Sequence, residues 1–225
     1  MLRYFRTAGI LARETVIVAI TRRSRAEIVA FLILALLSLT VTWTGSLIFE
    51  PTAGKADYPA ENGWHELLQA ALLLSAAVLF YAAAVRFGFE IFYFSLFAAF
   101  FCGLAVLRET PRCASSYYEG GPCLSSDGKL IIGFALAATV IALLAWRRIP
   151  LARQVRDLNL LWILPVGFSG LMLIAAEIMG SYYIEVWKEE TLELASYVNL
   201  TVFAMVLNIR PGWFDSRPPG AHMPP

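Results

Sequence analysis

The sequence predicts an all-α polytopic membrane protein, with six transmembrane helices in one bundle and an N-terminal amphipathic helix at the membrane interface. Three observations predict it. The chain of 225 residues is 59% hydrophobic and 16% charged, with a mean hydropathy of +0.65, whereas soluble domains run to about half apolar and a quarter charged. Its apolar residues gather into six runs, each near the roughly 20 residues that carry a helix across about 30 Å of hydrocarbon. Its charges fall in short clusters between those runs, as they must if hydrocarbon excludes them.

The first 25 residues precede the first run. A helix over 1–21 places Arg3, Arg6, Arg13 and Glu14 on one arc and Leu2, Phe5, Ala12 and Val16 opposite, the pattern of a segment lying on an anionic leaflet. A cleaved signal peptide is disfavoured, because the long apolar run starts after residue 25 and exceeds the usual length of such a core.

The six runs, which make residues 26–209 one transmembrane domain, are Ile28 to Phe49, Trp64 to Val85, Ile91 to Leu107, Leu130 to Trp146, Leu158 to Met179 and Leu192 to Leu207. The second carries Ala70, Ala71, Ala76, Ala77, Ala82, Ala83 and Ala84, small side chains that admit close helix approach in lipid, so a central place is expected. The third is ringed by Phe92, Tyr93, Phe94, Phe97, Phe100 and Phe101, suited to both lipid and protein. The fourth and sixth are short and are expected to stand near-perpendicular to the bilayer. The fifth holds Pro165, Gly167 and Gly170, and a kink is expected where proline lacks its backbone donor. Residues 210–225, with Pro211, Pro218, Pro219, Pro224 and Pro225, cannot continue a helix and read as a disordered tail.

Orientation follows from the basic residues. With the N-terminus inside, thirteen of the 18 Lys and Arg fall on the cytoplasmic side, six of them before the first run. Only Lys55, Arg108, Arg112, Lys129 and Lys188 fall outside. Such asymmetry is the positive-inside pattern, and it places the chain as a multi-pass protein of a bacterial inner (plasma) membrane with both termini in the cytoplasm. A net charge of +1 with no basic stripe sets nucleic acid aside as a partner. The lipid bilayer is the expected partner, with a membrane protein or a second copy as a further one.

Cys113 and Cys123 fall in the loop predicted to lie outside, where oxidation favours a structural disulfide; the turn-prone Glu119-Gly120-Gly121-Pro122 between them lets the sulfurs meet. The Cys-x-x-Cys spacing of a redox pair is absent. Cys102 reads as a small buried apolar residue.

Ionisable groups from four runs map to one depth, the outer end of the bundle. The second run opens with Asn62-Gly63-Trp64-His65-Glu66 and then Gln69, on one helix face with Glu66. The third closes with Arg108-Glu109. Glu177 lies near the end of the fifth, and the sixth opens with Lys188-Glu189-Glu190 and then Glu193. At helix N-termini, Glu66, Glu189 and Glu190 are explained by the helix dipole alone. Glu109 and Glu177 sit at C-terminal ends, where the dipole opposes negative charge, so they are expected to pair with Arg108 or to be protonated. Arg108 itself is expected to reach a carboxylate of another run, Glu66 or Glu177. In the sixth run Glu189, Glu193 and Ser196 share a face, with Asn199 nearby as interhelical glue.

Gathered acids repel, so the cluster should hold protons, a cation or a cationic group. A metal would have only His65 and Glu66 as evident ligands, too few for a three-histidine zinc site. No cofactor fingerprint appears, though a bound cation fits the acids. The function expected is proton- or cation-linked binding or transport of a small solute or lipid through an outward-facing pocket of Glu66, Gln69, Arg108, Glu109, Glu177, Glu190 and Glu193. The first alternative is a structural or assembly subunit of a membrane complex. An outer-leaflet lipid hydrolase or transferase ranks third, since no activated nucleophile accompanies the acids.

Overall fold

The computed structural model describes residues 25–49, 64–87, 91–115, 120–147, 163–181 and 186–211. These form six helices: α1 (Arg25–Phe49), α2 (Trp64–Arg86), α3 (Phe92–Glu109), α4 (Ser126–Arg147), α5 (Ile163–Ser181) and α6 (Val186–Ile209). Among the described residues there is no strand, only an isolated bridge between Arg112 and Leu124. The expected amphipathic helix of the first 25 residues and most of the proline-rich tail lie outside the described residues.

Four helices are long and apolar enough to cross a membrane, over Glu66–Arg86, Phe92–Glu109, Ser126–Arg147 and Glu189–Ile209. In α1 and α5 the apolar stretches are shorter, Leu32–Thr44 and Pro165–Met179. The outward surface agrees with an apolar solvent. On α4 alone Leu130, Ile131, Phe134, Ile141 and Trp146 are each at least 60% exposed. Leaving five such side chains in water forfeits on the order of 10 kcal/mol, comparable with the whole stability of a domain. Hydroxyls on the helix surfaces bond back to their own backbone, Thr40 Oγ1 to Leu36 O, Thr44 Oγ1 to Thr40 O, Ser75 Oγ to Ala71 O and Thr139 Oγ1 to Ala135 O. In hydrocarbon no water would serve them.

The core lies between α2, α3 and α6. Leu73, Ala76, Phe80 and Ala83 of α2 meet Ala99 and Cys102 of α3 and Tyr197, Phe203, Ala204 and Leu207 of α6. Alanines at 76 and 83 let the backbones close in, and the space opposite is filled by Phe80, Phe94 and Phe203, whose ring centroids lie 6.0 to 6.1 Å apart. Half of the α6 span is buried but only 6% of the α4 span. The most enclosed helix is therefore the sixth, and the alanine-rich second flanks it. The phenylalanines of α3 divide, Phe92 buried and Phe97 and Phe101 exposed.

Two helices begin four or more residues ahead of their apolar runs. α4 starts at Ser126 and α6 at Val186, because polar residues there supply helix starts as well as loop. Ser125 Oγ accepts from Gly128 N at 3.0 Å, satisfying a donor that the first turn leaves unpaired. Pro165 lies two residues after Ile163, where the described part of α5 begins, and the backbone before Ile163 lies outside the described residues.

The junction of α3 and α4 is closed by the Cys113–Cys123 disulfide, with Cα atoms 5.0 Å apart. Leu124 N donates to Pro111 O and Cys113 N to Leu124 O. Gly120 and Gly121 take φ of 120° and 104°, values that side-chain-bearing residues rarely adopt. Lys129 Nζ donates to Thr110 O across the same junction. Along the helices Gly103 admits Leu136, whose Cδ1 lies 3.0 Å from where a Cβ would stand. At the far end Arg147 donates to Val85 O at 2.6 Å and lies over the Phe92 ring.

Candidate functional site

The site grows from the spacing of polar residues on α6. Glu190, Glu193 and Tyr197 follow at intervals of three and four, which stacks them on one helical stripe, and the stripe faces α2 and α3. Further along, Thr201 Oγ1 donates to Leu72 O at 3.0 Å and Asn208 Nδ2 to Leu79 O at 2.9 Å, both carbonyls of α2. Against the opposite side of α6 lies α5. Ser169 and Ser196 exchange hydroxyl bonds to each other's carbonyls at 3.2 and 3.1 Å, while Asn199 Nδ2 reaches Pro165 O and Ser169 Oγ, each at 2.7 Å. The core helix is thus fastened on two sides by polar side chains.

At the end of the bundle where α2, α4 and α6 begin and α3 finishes, four polar residues close into one network, with a hydrogen-bonded pair beside it. Arg108 Nη2 donates to Glu193 Oε1 at 2.5 Å and its Nε lies 3.2 Å from Glu109 Oε1. Tyr197 Oη donates to that same Glu109 oxygen at 3.0 Å. Glu193 is 6% exposed and the Glu109 side chain 9%; the Arg108 side chain, at 60%, reaches from outside to cover them. One guanidinium therefore serves two buried carboxylates. Beside them Gln69 Nε2 donates to Glu190 Oε2 at 2.8 Å and, more weakly, to Glu190 O at 3.4 Å. Gln69 is fully buried, and its Oε1 has no hydrogen-bond partner among the described residues.

Of the residues singled out from the sequence, Gln69, Arg108, Glu109, Glu190 and Glu193 come together. Glu66, half-buried one turn before Gln69, lies within Coulombic reach of Glu190. Glu177 is exposed; its electrostatic neighbour is Glu189, and it stands outside the hydrogen-bonded set. The partners of Arg108 are Glu193 and its own neighbour Glu109, rather than the expected Glu66 or Glu177. A guanidinium is long enough to fold back along the last helical turn while its other edge crosses to α6. The His65 side chain lies outside the described residues, and among those described no group of three His, Cys, Asp or Glu is placed to hold a metal ion. Tyr197 is the member that sequence reasoning missed. Its position four residues after Glu193, on the same helical stripe, was the available signal.

The arrangement sets charge against burial. Glu109 and Glu193 share one guanidinium and Glu190 lies within Coulombic reach of Glu193, so these three acids and Arg108, fully ionised, carry two more negative charges than positive. Arg108 offsets the mutual repulsion of Glu109 and Glu193, which it contacts directly, and Glu190 is left as an acid hydrogen-bonded to a neutral amide. Bound protons or a bound cation would offset the excess charge. Compared with protein-family models, with curated proteins and with solved structures, the chain matches none.

Proposed function

We propose that this chain is an integral inner-membrane protein of six spans, both termini cytoplasmic, whose outer-end carboxylate cluster links the uptake of a proton or a cation to the binding or transport of a small solute or lipid. The observation that carries the reading is the enclosure of Glu109 and Glu193 at the meeting point of α2, α3 and α6 with one guanidinium between them. Stability alone does not call for ionisable groups in that place, since apolar packing of similar volume holds helices together at lower desolvation cost. The disulfide supports the outward orientation, because such bonds persist in oxidising compartments, and Arg86 and Arg147 at the opposite end agree with a cytoplasmic face. On this reading α1 and α5 complete the six spans with flanking residues, and the first 25 residues lie as an amphipathic helix on the inner leaflet.

A second reading has its own support. α4 exposes Leu130, Ile131, Phe134, Ile141 and Trp146, a face open to another membrane protein, as an assembly subunit requires. The two readings separate on a solid-supported membrane carrying reconstituted protein. Jumps in pH or in cation concentration should give transient currents in the wild type that fall at least about tenfold in Glu193→Gln, the scale of one lost charge contact. Silence of the wild type would sink the linked-binding reading; unchanged currents in a Glu193→Gln protein that merely melts earlier would favour the structural one.

A further inference from the structure

Two deficits occur side by side in the cluster. The first is electrical: Glu109, Glu190 and Glu193 are accompanied by Arg108 alone among the hydrogen-bonded members. The second is a missing donor. Gln69 is 0% exposed, its Nε2 is engaged by Glu190, and its Oε1 accepts from nothing described. Turning the amide does not help, for the oxygen would then face the Glu190 carboxylate and the donors would be stranded instead. A buried acceptor without a partner costs about 1–3 kcal/mol.

A buried water would satisfy the oxygen and leave the charge. A proton on a carboxylate would remove charge and leave the oxygen. A small monovalent cation meets both deficits with one particle. We propose that Gln69 Oε1 and the Glu190 carboxylate form a binding site for such a cation, either a free alkali ion or the ammonium head of a solute. The site supplies hard oxygen donors, which suit alkali ions and ammonium alike. Among the described residues no group of three acidic, histidine or cysteine side chains is placed to hold a metal ion, so the carboxylate-rich cage that a divalent ion takes is not offered. Glu66, one helical turn from Gln69, adds negative potential at the mouth. Gln69 is then a ligand and Arg108 a counterweight, which keeps Glu193 and Glu109 from competing for the ion.

The inference rests on the linked-binding reading and narrows it to a cation, and it is tested on the full chain in detergent with radioactive sodium. Wild type should bind sodium saturably at constant ionic strength held with choline chloride. Gln69→Leu, which removes the oxygen, should weaken binding at least about tenfold, while Gln69→Glu, which keeps an oxygen there, should retain it. Should Gln69→Leu fail to fold, the wild type and Gln69→Glu still decide. Competition by methylammonium at concentrations like those of unlabelled sodium assigns the site to an ammonium head; competition by lithium or potassium alone assigns it to an alkali ion. No saturable binding in the wild type, unaltered binding in Gln69→Leu, or displacement by calcium at far lower concentration overturns the cation site. Currents on pH jumps that persist in a protein without sodium binding would retain the linked-binding reading with a proton, so the two failures are distinguishable.

Discussion

Arg108 is held by unequal means, and its removal should show it. Truncating Arg108 to Ala strands the Glu193 carboxylate, 6% exposed, beside Glu109. Breaking a fully buried pair costs about 3–5 kcal/mol; with the guanidinium 60% exposed, solvent screening reduces the expectation to about 1–3 kcal/mol. Adding Glu193→Gln to Arg108→Ala should restore most of the loss, because the stranded charge is gone. Unfolding in graded mixed micelles measures both, and additive losses would mean that the two residues do not interact. Residue types at this end were legible from sequence, as were Gln69 and Glu66 on one helix face. Their pairing was not. The dipole argument ranks Glu177 with Glu109, yet only Glu109 lies within reach of both Arg108 and Tyr197. Position along a span fixes depth, and the rotation of each helix about its own axis decides which groups meet.

Among the elements, α4 is fastened at both ends. Little of its length is buried, and the disulfide with Lys129 at one end and Arg147 at the other reinforce the packing of Leu136 on Gly103 and of Leu143 on Phe92 and Leu96. Thiol alkylation of unreduced, folded protein should leave Cys113 and Cys123 unlabelled, and Cys102, buried against α2 and α6, should react only after unfolding. Labelling of either loop cysteine without reduction would contradict the bridge. A closed loop of about ten residues is worth roughly 2–4 kcal/mol, so reduction should lower the melting temperature measurably. Six helices were readable from apolar runs, but α4 and α6 begin earlier than those runs. Hydropathy registers lipid, whereas helix starts are set by capping at residues such as Ser125, which belong to the water side.

For the whole molecule, the alternation of α2, α3 and α4 puts the Cys113–Cys123 disulfide and the Arg147 end of α4 at opposite ends of the bundle, which on the proposed topology are opposite sides of the membrane. Reporter fusions at Ser115 and Ala152 should therefore give opposite compartment signals; equal signals would refute six spans with cytoplasmic termini. The class of protein was readable because hydrocarbon imposes a composition, while the order of neighbours was not, since lipid-facing and protein-facing stripes are equally apolar. That α6 is both the most enclosed helix and the late one in the chain has a consequence for biosynthesis. Gln69, Arg108 and Glu109 enter the bilayer before Glu190, Glu193 and Tyr197 have been translated. Until then the emerging helices carry polar groups whose partners have not yet been made. A ribosome that stalls ahead of Val186 leaves a product with every apolar stretch but the last and no means of closing its centre, the kind of intermediate that membrane quality control removes.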